Sequence, residues 1–137
     1  MKKGIVRNMI AVIIGAMLGG LINMGIIMLG SYVIPSPAGV DLTTTEGLQA
    51  AKGLLEPIHF IFPFLAHAIG TLIGALLAVI VGKNRHLMLA MMIGFFFLIG
   101  GISAAFMIPA PTWFVVLDLV LAYIPFAWLA YKIRKKF

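Results

Sequence analysis

Four long and almost uninterrupted apolar runs dominate the sequence, and they limit what the chain can fold into more than any other feature. Each run is close to the roughly 20 residues that an α-helix needs to cross a ~30 Å hydrocarbon layer. The runs predict four transmembrane helices, at residues 9–29, 58–81, 87–108 and 113–131. The ends and connections are too short for a second folded domain, so residues 1–137 are expected to form a single transmembrane domain.

The composition agrees with this prediction. Of the 137 residues, 63% are hydrophobic and 10% are charged, whereas a soluble protein carries about 25% charged residues. Cysteine is absent, which excludes disulfides, thiolate metal centres and CxxC redox chemistry. We therefore predict an all-α integral membrane protein that folds as a four-transmembrane-helix bundle.

The basic residues lie almost entirely on one side of the predicted helices. Only Lys52 lies on the other side, in the loop of residues 30–57, which also holds Asp41, Glu46 and Glu56. Short loops rich in Lys and Arg stay cytoplasmic, so we expect both termini in the cytoplasm and a bacterial-type inner (plasma) membrane. No basic domain is present to bind nucleic acid, and we predict no such partner. The other nine basic residues are Lys2, Lys3, Arg7, Lys83, Arg85, Lys132, Arg134, Lys135 and Lys136.

The outer loop of residues 30–57 carries the signature of a short amphipathic helix. Thr43-x-x-Glu46 is a capping-box pattern, which satisfies free backbone donors at a helix start. Apolar residues follow at helical spacing. This helix is expected to lie on the outer membrane surface or to cap the bundle, either as a structural connection or as a gate or docking element. The apolar residues are Leu48, Ala51, Leu54 and Leu55.

Small residues recur at intervals of about four along the first three predicted helices. In membranes such stripes allow helices to approach closely. They predict tight contacts within the bundle, or between copies in a homo-oligomer or a larger membrane complex. Pro63 and Pro125 lie inside predicted helices and are expected to kink them. The stripe residues are Gly15, Gly19, Ala66, Gly70, Gly74, Ala78, Gly94, Gly100, Gly101 and Ala104.

Few ionisable residues lie inside the predicted spans, and such residues are functional candidates. They are His59, His67 and Asp118. A rise of ~1.5 Å per residue places Asp118 about 7–8 Å from the outer boundary and His67 about 13–14 Å from it. An ionised Asp118 needs a partner in low dielectric, which His59 or His67 can provide, unless the carboxyl stays protonated.

Uncharged polar residues lie at similar depths, so each of the four helices contributes to a polar cluster in the outer half. His59, His67 and Thr71 share one helix stripe because they are separated by multiples of four residues. The complete predicted ligand- or proton-binding set is His59, His67, Asp118, Asn23, Ser103, Tyr123 and Thr71.

This cluster predicts a protein that binds or passes a small solute, ion or proton through an outer-leaflet pocket. Histidine suits proton exchange with Asp118 because its charge changes near neutral pH. The main alternative is a non-catalytic accessory or assembly subunit of a larger membrane complex, in which the polar groups only hold the helices together.

Metal, cofactor and enzyme functions are weaker alternatives. Glu56-x-x-His59 has the spacing of helix-borne metal sites, and His67 and Asp118 could complete such a site. A haem or quinone site is weaker still, because both histidines lie on one helix. We predict no cofactor. No nucleophile stands at a specific spacing from a base, so we predict no catalytic residue and favour a protein that is not an enzyme.

Overall fold

The computed structural model describes residues 2–137, and this part of the chain is 81% helical with no β-strand. Four segments within it are long and apolar enough to cross a membrane, as the apolar runs predicted. Short 3-10 turns at Pro37–Gly39 and Pro57–Phe60 lie in the long loop. The helices are α1 (Lys2–Val33), α2 (Thr45–Ala50), α3 (Ile61–Val81), α4 (His86–Met107), α5 (Thr112–Leu121) and α6 (Ile124–Lys136).

Helix α1 extends beyond the predicted span at both ends. It has 32 residues, which corresponds to roughly 48 Å. Its first residues include Lys2 and Lys3, which are good helix formers, and the first helix-breaking residue after it is Pro35. Hydropathy marks where a helix becomes polar, whereas the helix itself continues until its backbone is interrupted.

Helix α3 lies at the centre of the bundle and contacts α1, α4, α5 and α6. Its contact with α1 is antiparallel and depends on glycine. A Cβ atom added to Gly19 would lie 2.7 Å from the carbonyl oxygen of Gly70, and one added to Gly70 would lie 2.9 Å from that of Gly19. Gly15 and Gly74 make the same reciprocal contact one turn away. The glycine stripes of the first two predicted helices therefore meet each other within the chain.

The tightly packed core lies where α3, α4 and α6 meet. Its residues are mostly small, and Gly94 of α4 rests directly on Ala127 of α6. Outside this core, large apolar side chains such as Met17, Leu21, Ile99 and Phe106 are more than half exposed. The fully buried core residues are Ala75, Ala78, Val79, Leu89, Ala90, Ile93, Ala127 and Ala130.

The two prolines inside the predicted spans have different effects. Pro125 lacks the N–H that would bond to the carbonyl of Leu121, and the fourth long helix is interrupted at residues 122–123. This break separates α5 from α6. Pro63 instead lies in the first turn of α3, where backbone N–H groups have no partner within the helix. Pro63 therefore does not interrupt α3, which runs unbroken from Ile61 to Val81.

One end of the bundle, here called the basic end, comprises residues 2–8, 82–86 and 131–136. The side chain of Asn8 ties α1 to the turn after α3. Its Nδ2 donates to Asn84 Oδ1 at 2.7 Å, and its Oδ1 accepts from the N–H of Lys83 at 2.9 Å. Arg7 donates to the carbonyl of Val81 at 2.6 Å. These contacts gather the basic residues of the first helix and of the α3–α4 turn.

Candidate functional site

The opposite end, here called the loop end, contains a cavity of about 340 Å³. Its walls are formed by α1, α3, α4 and α5, and the loop of residues 34–60 and the α4–α5 turn contribute the remainder. Most of the lining is apolar, with Met24 and Ile27 on α1 and Ala104 and Ala105 on α4. The volume falls within the range of small-molecule pockets.

The loop covers part of the cavity through Leu42, Thr43, Leu48 and Leu55. This arrangement agrees with the capping alternative for the predicted loop helix. The helix is shorter than the apolar spacing indicated, because α2 ends at Ala50 and Gly53 has a φ of +85°, a conformation that glycine adopts readily.

The predicted capping box is wrong by one residue. The N-cap of α2 is Thr44, whose Oγ1 accepts from the N–H of Gly47 at 3.0 Å. Thr43 instead donates twice to Asp41 Oδ1, from its N–H at 2.9 Å and from its hydroxyl at 2.6 Å. These hydrogen bonds lower the pKa of Asp41 below its usual value. Gly47 is required here because a Cβ would overlap the carbonyl oxygen of Asp41.

His67 of α3 and Asp118 of α5 meet on the cavity wall. His67 Nδ1 lies 2.7 Å from Asp118 Oδ1, and the second carboxylate oxygen, Oδ2, accepts from the hydroxyl of Tyr123 at 3.0 Å. The imidazole also stacks on the Tyr123 ring, with 5.6 Å between ring centroids and an interplanar angle of 27°. Asp118 is only 5% exposed. Both of its oxygens are thus engaged by groups on neighbouring segments.

The geometry leaves one edge of the His67 ring free. With Nδ1 donating to Asp118, the opposite nitrogen Nε2 makes no hydrogen bond within residues 2–137. This nitrogen is accessible rather than buried. The side chain is 22% exposed and lines the cavity. A carboxylate that fixes the tautomer and stabilises the protonated ring is a common way to prepare a histidine for proton transfer.

His59 also lines the cavity but does not contact Asp118. Its Nδ1 accepts from the N–H of Glu56 at 2.9 Å, so the neutral ring carries its proton on Nε2. This hydrogen bond closes the first turn before α3, with imidazole in the place that a Glu or Gln side chain takes in a capping box. Of the two histidines considered as partners of Asp118, the structure pairs His67 with it.

The remaining predicted residues lie outside the cavity lining. Ser103 is exposed and donates to the carbonyl of Ile99 in its own helix at 2.9 Å. Asn23 lies against Gly70 in the α1–α3 contact. Within residues 2–137, Asn23 Oδ1 and Thr71 Oγ1 are buried without a hydrogen-bond partner. The structure therefore brings together His67, Asp118 and Tyr123, with His59 further along the same wall.

The four weak metal candidates separate into two pairs. His67 binds Asp118, whereas His59 binds the backbone of Glu56. Across residues 2–137, no three His, Cys, Asp or Glu side chains lie close enough together to hold a metal ion. The arrangement supports proton exchange and hydrogen bonding.

Sequence reasoning did not find the small residues that make room for the cavity. The small-residue stripe predicts that Gly101 and Ala104 pack against another helix. A Cβ at Gly101 would lie 2.7 Å from Cζ of Tyr123, so this glycine seats the tyrosine ring, while Ala104 and Ala105 line the cavity. Small residues at this spacing occur both where helices pack closely and where they border a cavity, so the sequence pattern does not distinguish the two.

Comparison with known proteins finds no family model, curated protein or solved structure that matches the chain. Its function therefore has to be inferred from the cavity and the groups that line it.

Proposed function

We propose that this protein binds or passes a small solute, ion or proton through the loop-end cavity. The observation that carries the proposal is the contact between His67 and Asp118 on the cavity wall, at 2.7 Å. A ligand that reaches Nε2 can exchange a proton with the imidazole while Asp118 stabilises the charged ring. Histidine can do this near neutral pH because its ordinary pKa lies there.

We also propose that the four long helices cross a bacterial-type inner membrane, with the basic end and both termini in the cytoplasm. The large exposed apolar side chains of α1 and α4 support insertion, because water would leave them unfavourably solvated. The positive-inside rule supports the orientation, since nine of the ten Lys and Arg residues flank the basic end and only Lys52 is in the loop.

The packed core of the bundle favours the binding of a ligand at the loop end over the passage of a solute through the protein. Between the cavity and the basic end the core consists of side chains such as Ala75, Val79 and Ile93, which offer no hydrogen-bonding groups. Transport through one copy therefore requires a rearrangement that opens this core. Binding at the loop end requires none.

The test follows the imidazoles directly. The protein contains three histidines, and 15N NMR of histidine-labelled protein in nanodiscs can follow each between about pH 5 and 8. We expect His67 to carry its proton on Nδ1 when neutral, to titrate reversibly, and to change its titration in Asp118→Asn.

A matched control is His86→Gln, at the basic end, which should leave the His67 titration unchanged. His67→Gln should remove one titrating ring and leave the others. If His67 does not titrate over this range, and both cavity variants only lose thermal stability, the pair holds helices together and the proposal is wrong.

A second candidate function is a non-catalytic accessory subunit of a larger membrane complex. The observation that favours it is that a Cβ at Gly20, Gly25 or Gly100 would meet nothing within 4 Å. These small residues leave α1 and α4 open to close approach by another helix. Copurification of a stoichiometric membrane partner, lost in Gly25→Leu or Gly100→Leu, would support this function.

A further inference from the structure

The polar groups of the cavity are unequally divided between acids and bases. Among its described lining residues the only carboxylate is Asp118, and both of its oxygens already accept hydrogen bonds. The lining hydroxyls are also engaged, because Ser31 donates to the carbonyl of Ile27 and Thr43 donates to Asp41. A cationic ligand would find no free carboxylate on these walls.

The two imidazoles are the groups that remain free. Both histidines line the cavity, and both have Nδ1 engaged, His67 with Asp118 and His59 with the Glu56 backbone, which leaves Nε2 of each ring unbonded. The two residues are eight positions apart on the stripe that includes Pro63, which corresponds to a separation of roughly 12 Å along the helix axis. One wall of the cavity thus carries a proton acceptor, His67, and, nearer the loop, a hydrogen-bond donor, His59.

We infer that the ligand of the cavity is a lipophilic weak acid, with an acidic head at His67 and an apolar tail against α1 and α4. This inference rests on the proposed function and names its ligand class. The tail would contact Met24, Ile27 and Ala105, which line the apolar side. An amine of the same shape is disfavoured, because its ammonium group can only donate to the Nε2 lone pair, whereas the acid leaves its proton there and its carboxylate then pairs with the imidazolium.

For the protonated acid the proton transfer balances without another reactant, and a ligand that arrives as the carboxylate takes the same proton from the buffer. The O–H bond of the acid breaks and its electron pair stays on oxygen, while the lone pair of His67 Nε2 forms the new N–H bond. The products are a carboxylate and an imidazolium in contact, and Asp118 stabilises the imidazolium through Nδ1–H. No net charge enters the cavity, which suits a low-dielectric site.

The groups that face His67 set the pH dependence of binding. They are Asp118 on α5 and Tyr123 at the α5–α6 break, with His59 roughly 12 Å away along the wall, and the other described cavity residues carry no titratable side chain. At pH 7 a free carboxylic acid is ionised. Its binding to neutral His67 therefore takes up a proton, and its apparent affinity falls as the pH rises.

Octanoic acid and octylamine test this inference, because they share one chain and differ in the head. Isothermal titration calorimetry of the protein in nanodiscs, corrected with empty nanodiscs, is run in two buffers of different ionisation enthalpy. We expect octanoate to bind with uptake of about one proton and octylamine to show no binding above the blank. His67→Gln should weaken octanoate binding by about tenfold or more and abolish the proton uptake.

Two further variants keep the test decisive. His86→Gln changes a histidine at the basic end and should bind octanoate as the wild type does. Ala105→Leu fills the cavity beside the tail and should weaken octanoate binding while leaving the His67 titration intact. This second variant remains informative if His67→Gln fails to fold.

Each other outcome overturns the inference in a recognisable way. Octylamine binding that depends on His67 and releases protons would replace the acid with a base, while the proposed cavity function would stand. Octanoate binding without proton uptake, or equal in His67→Gln, would show that His67 does not take the proton of the acidic head. If neither compound binds, the ligand class is wrong, and the NMR titration of His67 independently decides the proposed function.

Discussion

Tyr123 donates a hydrogen bond to Asp118 at 3.0 Å, although the two residues are five positions apart in the same apolar segment. In a continuous α-helix, residues five apart point about 140° away from each other. The contact exists because the helix is interrupted between Leu121 and Ile124, with φ −107° and ψ −74° at Tyr123. Pro125 thus contributes to the site indirectly, through the backbone break that turns the tyrosine toward the carboxylate.

Tyr123→Phe is expected to destabilise the protein by about 0.6–2 kcal/mol, the range for hydrogen bonds between membrane helices. The variant keeps the ring that packs on Gly101 and stacks on His67, but it leaves Asp118 Oδ2 buried without its donor. The free energy of unfolding can be measured by adding SDS to protein in a mild detergent. Tyr131→Phe, at the basic end, is the matched control and should change it by less than about 0.5 kcal/mol.

Gly101→Ala and Gly100→Ala should differ in their effect on stability although the two residues are adjacent. A Cβ at Gly101 would collide with the Tyr123 ring, whereas one at Gly100 would meet nothing within 4 Å. We expect Gly101→Ala to cost about 1–3 kcal/mol of stability and Gly100→Ala to be neutral or to stabilise by up to about 1 kcal/mol. The same SDS unfolding measurement separates the two, and equal effects would contradict the seating of Tyr123 on Gly101.

The long helices could be predicted from the sequence because hydropathy and length alone determine which segments can cross a membrane. The ends of α1 and α2 could not, since they depend on where the backbone is interrupted or capped, as it is by Thr44 at the start of α2. A one-residue shift of the N-cap to Thr44 leaves the hydrophobic pattern almost unchanged.

The candidate site was predictable only in part. A buried carboxylate needs a partner, and this argument selects the histidines of the second predicted span for Asp118. It cannot choose between His59 and His67, which lie on one stripe, and the choice follows from how α5 packs on α3. Depth also placed Ser103 near the cluster. Depth does not fix the face of a helix, however, and the Ser103 side chain points out of the bundle.

At the α1–α3 contact, Gly19 and Gly20 of α1 give a second pair of adjacent glycines for comparison. Gly19→Ala would press a methyl group against the carbonyl of Gly70, while Gly20→Ala would meet nothing within 4 Å. We expect Gly19→Ala to destabilise by about 1–3 kcal/mol and Gly20→Ala to be neutral or mildly stabilising. SDS unfolding again provides the measurement. A strong effect at Gly20 alone would mean that this face contacts another chain.

The loop that covers the cavity is expected to loosen in acid. Two hydrogen bonds from Thr43 hold the pKa of Asp41 below its usual value. A carboxylate whose pKa is depressed in the folded loop stabilises that loop above the unfolded pKa, and the stabilisation is lost as the pH falls through the lower, folded value. The stability that the Asp41–Thr43 turn gives to the loop should therefore be constant at neutral pH and decline below about pH 4.

Amide hydrogen exchange at residues 43–50 measures this loosening, with exchange in α3 as the internal reference. The wild-type loop should lose protection below about pH 4 relative to α3. Asp41→Asn should show weaker protection than the wild type at neutral pH and little further loss in acid, because an amide does not titrate. If the variant retains the acid-dependent loss, another group controls the loop and the Asp41–Thr43 turn does not hold the cover in place.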